Sequence, residues 1–128
     1  MIRKLRPSDR DAYQYLKLES FKYRDIHPFT DDIFNRSFVW EEDGKLVGFC
    51  KWMASGWLSK YAEVGCLMVN SAYCGRGIAK ALMTVAVTEA LKHFDNIRIY
   101  DISKHGQTSR IARGLGFIEK DSRDWWYR

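Results

Sequence analysis

The stretch Ala62-Glu-Val-Gly-Cys-Leu-Met-Val69, continued by Asn70-Ser-Ala-Tyr73 and Cys74-Gly-Arg-Gly-Ile-Ala79, holds the most informative pattern in this sequence. Residues 62–69 are largely apolar, which is typical of a buried strand. From residue 77 onward the apolar residues recur at helical spacing, which predicts a helix lying on a sheet. Those residues are Ile78, Ala81, Leu82, Val85 and Ala86. The chain therefore passes from a strand through a glycine-containing turn into a helix.

This turn predicts an anion-binding cradle. The first N–H groups of a helix have no acceptor within the helix, and glycines at 75 and 77 let the main chain approach a bulky anion closely. Arg76 and Lys80 add formal positive charge to the same rim. The alternative is that Gly75 and Gly77 only permit a tight turn between strand and helix.

Composition and charge narrow the class of protein. The 128 residues are 46% hydrophobic and 29% charged, with 2 prolines and 9 glycines, which excludes a disordered or collagen-like chain. The net charge of +5 is uneven, since residues 1–64 hold 11 basic and 10 acidic residues and residues 65–128 hold 10 and 6. We therefore expect the second half to meet an anion, either nucleic acid or a phosphorylated cofactor.

The sequence shows no sign of a membrane or metal partner. Its apolar runs are far shorter than the ~20 residues that cross a bilayer, and Met1–Arg6 lacks the apolar stretch of a signal peptide. We expect a cytoplasmic protein. The three cysteines, Cys50, Cys66 and Cys74, form no Cys-x-x-Cys pair and have no metal-ligand spacing to the histidines. We expect reduced, mostly buried thiols and no metal site.

Helical and strand periods alternate along the chain, which predicts a single α/β domain over residues 1–128. Further strands are expected at 2–5, 37–41, 45–54, 96–102, 117–120 and 125–127, and further helices at 8–21, 30–36 and 107–115. Ser8, with Asp11, is the expected start of the first helix, and Thr30 the cap of the second. Asp43-Gly44 predicts a tight hairpin turn.

The segment Tyr73-Cys-Gly-Arg-Gly-Ile-Ala79 resembles the acyl-CoA signature of the GNAT superfamily of N-acyltransferases, Gln/Arg-x-x-Gly-x-Gly/Ala. Gly77 and Ala79 match its last two positions, whereas Cys74 stands where glutamine or arginine is usual. Leu115-Gly-Phe117 resembles the family's second common motif, and the order of elements agrees along nearly the whole chain. The resemblance implies a GNAT-like domain with a central mixed, mostly antiparallel twisted sheet flanked by helices.

The resemblance also implies a site for acetyl-CoA. Main-chain groups of the signature strand, at Leu67, Met68 and Val69, would bind the thioester and pantetheine. The pyrophosphate would meet the cradle, whose expected contacts are Cys74, Gly75, Arg76, Gly77, Ala79 and Lys80. Arg110 and Arg113 are further candidates for the remaining phosphates. Such a cofactor accounts for the positive second half without nucleic acid.

The implied reaction is direct attack of an amine on the acetyl thioester, which needs a general base and a proton donor. Glu63, six residues before Val69, matches the family's glutamate base. We expect apolar neighbours such as Val64 and Trp52 around Glu63, which would favour its role as a base. The alternative is a solvated glutamate at a strand end.

The proton donor is left open by the sequence. The family's tyrosine and asparagine positions are occupied here by Ala112 and Gly106. Water, Ser109, His105 or Tyr127 could protonate the thiolate instead, or the protein catalyses little.

The sequence therefore leaves two classes of function open, and it favours a third class least. The first is an acetyl-CoA-dependent N-acetyltransferase acting on a small amine or on an amino group of a peptide or protein. The second, supported by Ala112 and Cys74, is a catalytically weak or inactive GNAT-like binding or structural protein. The third is a nucleic-acid-binding domain, for which only Arg98-Ile-Tyr100 argues. The acceptor and the oligomeric state, a homodimer included, are left open.

The tryptophans outside the signature stretch have two interpretations. Trp57, Trp125 and Trp126 would either line an acceptor groove or, as large aromatic residues more often do, belong to the core.

Overall fold

The computed structural model of this protein describes residues 1–21, 31–55 and 60–128. Within these residues, seven strands form one sheet and three α-helices pack against it. The strands are β1 (Ile2–Lys4), β2 (Ser37–Glu42), β3 (Lys45–Ser55), β4 (Tyr61–Val69), β5 (Ile97–Tyr100), β6 (Ile118–Asp121) and β7 (Asp124–Tyr127). The helices are α1 (Arg10–Phe21), α2 (Ile78–Leu91) and α3 (Gln107–Gly114). Single 3-10 turns cover Pro7–Asp9, Asp31–Arg36 and Ser71–Tyr73.

The sheet is mixed and mostly antiparallel, as the resemblance implied. Its strand order is β1-β2-β3-β4-β5-β7-β6, and β4–β5 is the parallel pair within the described sheet. The predicted hairpin joins β2 to β3, with Asp43 at φ 51° and Gly44 at φ 76°. Two consecutive left-handed residues match the twist of the flanking strands, which explains why an Asp-Gly pair stands there.

Helices α1 and α2 lie on opposite faces of the sheet. Val39 and Phe49 pack with Tyr13 and Leu16 of α1, whereas Phe38, the neighbour of Val39, belongs to the core cluster that contains α2. Successive strand residues point to opposite faces, so the two clusters are separated by the sheet itself. Helix α3 shares the α2 face.

Gly48 in β3 sets how closely α2 approaches the sheet. A Cβ atom at this position would lie 2.8 Å from Cδ1 of Leu82 and 3.0 Å from Cγ2 of Ile78. Leu82 is fully buried, so its side chain has little empty space into which it could move away from such a Cβ. Gly48 therefore fixes the position of the first turn of α2 over the sheet.

Two expectations about local structure are wrong. Asp9, not Ser8, organises the start of the first helix, since its carboxylate accepts the N–H of Arg6 at 2.7 Å and pairs with Arg3 at 2.8 Å. The hydrogen bond from Arg3 lowers the pKa of Asp9 below its usual value. Cys74 is exposed rather than buried, because the turn that carries it stands clear of the core. The Thr30 cap and Trp57 lie outside the described residues.

Candidate active site

Strands β4 and β5 part soon after they meet. Their parallel pairing covers Ala62 with Ile97 and Glu63 with Arg98. Beyond these pairs, residues 64–69 of β4 have no pairing with β5 among the residues described. The parting leaves this part of β4, which contains the expected contacts Leu67, Met68 and Val69, without a strand partner on one edge among the described residues.

A β-bulge in β4 lies beside this opening. Gly65 pairs with Lys51 and Met68 pairs with Phe49, so two residues of β4 stand opposite Cys50 alone. Cys66, one of the two, has φ 53°, a left-handed conformation that is costly for a residue with a side chain. Backbone strain of this kind concentrates at functional sites.

A cavity of about 270 Å³ opens on the α1 face at the same place. Its walls are Lys51 and Met53 from β3, residues 63–66 of β4, and Tyr100 and Ile102 from the end of β5. Glu63 is in this wall, as the base assignment requires. Burial raises the pKa of the Cys66 thiol to about 11, although the charges of Lys51 and Lys17 oppose the rise. This thiol is therefore a poor nucleophile near neutral pH.

The prediction that the side chains of Val64 and Trp52 surround Glu63 is wrong. Val64 and Trp52 belong to the core cluster with α2, on the other face of the sheet. Glu63 instead accepts a hydrogen bond from Ser55 Oγ at 3.5 Å, and its Oε1 lies 3.9 Å from Nη1 of Arg98. Its side chain keeps 31% of its surface exposed, so a substrate can reach it.

The turn between β4 and α2 has the cradle conformation expected from its glycines. Gly75 has φ 80° and Gly77, the N-cap of α2, has φ 81°. Among the residues that the structure describes, nothing lies within 4 Å of a Cβ built at either position, so these residues leave the space in front of the turn open. Ala81 makes the first hydrogen bond back to Gly77, at 3.0 Å, which leaves the preceding amides of α2 available to an anion.

The predicted cradle contacts share one exposed rim, but their side chains point to different partners. Cys74, Gly75, Arg76, Gly77 and Lys80 are exposed and Ala79 is half-buried. The thiol of Cys74 lies 3.8 Å from the carbonyl oxygen of Asn70. The guanidinium of Arg76 donates to Glu42 at 3.1 Å and covers the ring of Tyr73.

Arg110 and Arg113, both expected to meet phosphate, lie in different surroundings in the structure. Lys80 and Arg110 line one groove of about 330 Å³ between α2 and α3. Arg113 lies over the ring of Trp125 instead, 5.1 Å from its centroid. The groove therefore gathers Lys80 and Arg110, but not Arg113, near the cradle.

A buried polar network holds the chain between β5 and α3. Asp101, 1% exposed, accepts hydrogen bonds from the hydroxyl and N–H groups of both Ser103 and Ser109. Burial raises the pKa of Asp101, but these four bonds outweigh it, so the pKa is lowered. Ser109 Oγ also accepts from Trp125 Nε1 at 2.9 Å, which places Trp125 in the core rather than in a groove. Ala112, where the family has tyrosine, is fully buried.

Sequence reasoning missed Tyr100 and Asp101 as site residues. The alternation of Ile97 and Ile99 with Arg98 and Tyr100 already assigned the latter two to the opposite face of β5. Nothing in the sequence places that face beside Glu63, because the β4–β5 register is a long-range property.

Within the same described ranges, no cluster of His, Cys, Asp or Glu side chains could hold a metal ion. No helix among the described residues is long and apolar enough to span a membrane.

Known proteins match this chain in sequence over most of its length. The model of the acetyltransferase (GNAT) family matches residues 2–117. An uncharacterised N-acetyltransferase of Methanocaldococcus jannaschii is 28% identical over 125 residues, which cover 94% of this chain and 54% of that protein. The chain thus spans about half the length of this curated relative.

Solved structures share the fold at lower identity. An N-acetyltransferase from Staphylococcus aureus matches with a TM-score of 0.77 and 18% identity, over 99% of this chain and 96% of that one. A GNAT family acetyltransferase from Brucella melitensis, in complex with acetyl-CoA, matches with a TM-score of 0.71 and 16% identity, over 99% and 86%. The fold predicted from the resemblance is confirmed. With its family model matched over nearly the whole sequence, this chain belongs to the acetyltransferase (GNAT) family.

Proposed function

We propose that this chain transfers an acetyl group from acetyl-CoA to a primary amine, with residues 1–128 acting as one catalytic domain. The observation that carries the proposal is the parting of β4 from β5 beside the glycine cradle, with Glu63 at the edge of the opening. Membership of an acetyltransferase family supports acetyl-CoA as the co-substrate, and the Brucella melitensis structure contains it.

The residues at hand fit the coenzyme. The cradle offers main-chain N–H groups from residue 75 to 80 and open space in front of Gly75 and Gly77, while Lys80 and Arg110 supply charge beside it. The edge of β4 that lacks a strand partner, around Leu67, Met68 and Val69, has room for an extended amide-containing arm to pair with main-chain groups. When bound, acetyl-CoA supplies an acetyl group activated as a thioester.

Glu63 is the proposed base. It reaches the cavity while still in contact with water, and it accepts the proton that an incoming ammonium must lose before its nitrogen can attack. The guanidinium of Arg98 lies 3.9 Å from this carboxylate and helps to hold it at the edge of the cavity. The buried Cys66 thiol makes a covalent acetyl-cysteine route the poorer choice, so attack by the amine is direct.

The experiment that tests the proposal supplies acetyl-CoA with a panel of primary amines: propylamine, spermidine, free lysine and a lysine-containing peptide. Mass spectrometry of the products, with free CoA measured in parallel, detects transfer. We expect acetylation of at least one member, and an alanine substitution at Glu63 should remove it. A protein that neither binds acetyl-CoA nor acetylates any amine contradicts the proposal.

A second candidate function is binding of the coenzyme without transfer. The observation that favours it is Ala112, a fully buried methyl group where the family has tyrosine. This candidate predicts tight binding of acetyl-CoA together with no acetylated amine in the same panel.

A further inference from the structure

We propose that Tyr100 donates the proton that the departing coenzyme A thiolate takes up, and that Arg98 positions its ring. The inference rests on the proposed function and goes beyond it, because the position where the family has its tyrosine holds Ala112 here. It assigns the proton donor to strand β5 instead of helix α3, and to the opposite face of the sheet.

Tyr100 borders the opening between the strands directly. The last parallel pair joins Arg98 to Glu63, so Tyr100, two residues further along β5, stands beside the unpaired part of β4. Alternate residues of a strand share a face, which places Tyr100 on the same side as Arg98. Glu63 and Tyr100 both line the 270 Å³ cavity, one from each strand. The proposed base and the proposed acid therefore flank the same space.

Arg98 connects the two residues. Its Nε donates to Asp124 at 2.7 Å, and this hydrogen bond is the main reason that the pKa of Arg98 is raised. The guanidinium lies 5.5 Å from the ring centroid of Tyr100 and 3.9 Å from Glu63. A cation held over the face of an aromatic ring attracts it, so Arg98 restrains the orientation of the Tyr100 ring. Tyr100 keeps 45% of its surface exposed, so it can recover the donated proton from water.

The donors named from the sequence fit less well. The Ser109 hydroxyl already donates to Asp101 at 2.6 Å and accepts from Trp125. Tyr127 pairs with Ile97, at the end of β5 where the strands are still joined, and packs against Phe117. Neither side chain lines the cavity.

Two other proton-bearing side chains line the cavity and are less suited. Lys51 belongs to β3, on the far side of β4 from the opening. Cys66 is half-buried in the bulge, and burial raises the pKa of its thiol to about 11.

Glu63 takes one proton from the ammonium and releases it to water. The neutral amine nitrogen then forms a bond to the acetyl carbon while a second proton passes from nitrogen to Glu63, and the carbon–sulfur bond breaks with its electron pair going to sulfur. The phenolic proton of Tyr100 moves to that sulfur, which gives neutral CoA. Tyr100 then regains a proton from solvent, and Glu63 releases one, so no net proton is consumed by the side chains.

The test compares the full chain with Tyr100→Phe, which removes one hydroxyl from an exposed ring and leaves the fold intact. Propylamine and water serve as acceptors, CoA release gives kcat, and calorimetry gives the Kd for acetyl-CoA. We expect kcat to fall about tenfold to a hundredfold, with Kd within about twofold of the parent. Tyr127→Phe is the matched control and should leave both values unchanged.

A double variant separates positioning from a merely structural effect. If Arg98 acts through Tyr100, Arg98→Met lowers kcat by a smaller factor in the Tyr100→Phe background than in the parent. Equal factors in both backgrounds contradict the positioning role. Tyr100→Phe with the kcat of the parent, or a loss produced by Tyr127→Phe instead, overturns the assignment of Tyr100. A parent protein that binds no acetyl-CoA and releases no CoA overturns the proposed function as well.

Discussion

Substituting Gly77 separates the two properties that the cradle combines, its backbone conformation and its openness to an anion. Gly77 has φ 81°, and a Cβ there would meet no described residue within 4 Å. Gly77→Ala therefore adds backbone strain without a steric clash, at a cost of about 1–2 kcal/mol in the free energy of unfolding. Gly77→Asp adds a negative charge to the same position, in a residue that tolerates the left-handed conformation better.

The charge has a much larger expected effect on the coenzyme than on the fold. At an effective dielectric constant of about 20, a carboxylate roughly 5 Å from a phosphate charge is repelled by about 3 kcal/mol. That repulsion weakens binding on the order of a hundredfold. In the free protein no phosphate is present, and the same carboxylate faces open space on the side of α2 that carries Lys80. The added charge therefore changes the free energy of unfolding much less than it changes the affinity for the coenzyme.

Calorimetric titration with acetyl-CoA and urea unfolding measure the two effects side by side. Gly44→Ala is the matched control, because Gly44 has φ 76° and equally open surroundings but lies in the hairpin turn. We expect it to lose stability like Gly77→Ala and to keep its affinity. If Gly77→Asp binds acetyl-CoA as tightly as the parent, the segment around Gly77 connects strand and helix but does not bind the phosphates of the coenzyme.

Three further predictions follow from other parts of the structure. Glu63→Gln should lower kcat about a hundredfold near neutral pH and leave the Kd for acetyl-CoA unchanged; a pH–rate profile identical to the parent's would exclude Glu63 as the base. Gly48→Ala should lower the free energy of unfolding by about 1–3 kcal/mol in urea, because the buried Leu82 must shift, and an unchanged midpoint would show that α2 adapts freely. Asp101 has a lowered pKa in the fold, so the stability it adds is present above about pH 4 and is lost as the pH falls through the folded value. The stability difference between the parent and Asp101→Asn should therefore shrink in acid, and a difference constant from neutral pH to about pH 3 would contradict this.

The elements that local signals specify were predictable from the sequence. Asp43-Gly44 determines the hairpin turn because few other residue pairs adopt two left-handed conformations in succession. The transition from strand to glycine turn to helix was likewise visible, and α2 begins at Ile78 as expected. The resemblance to the GNAT family rested on this region and is confirmed.

The surroundings of the site residues were not predictable in the same way. Met53 pairs with Glu63 and Trp52 pairs with Val64, a register that exists only once β3 and β4 have assembled around the bulge. The left-handed conformation of Cys66 has no local sequence signal, since cysteine does not favour it.

Contacts between distant segments could not be predicted from the sequence for a related reason. Arg76 meets Glu42, 34 positions earlier in the chain, and no spacing rule connects the two residues. The parting of β4 and β5 is equally a consequence of long-range packing, and no spacing in the sequence indicates it.

The most direct test of the central claim is calorimetric titration of the purified protein with acetyl-CoA and with CoA at two salt concentrations. We expect micromolar binding of both, weaker at the higher salt because the cradle and Lys80 attract phosphate charge. Absence of binding in a folded sample would contradict it and leave a protein with the family's fold but without a coenzyme site.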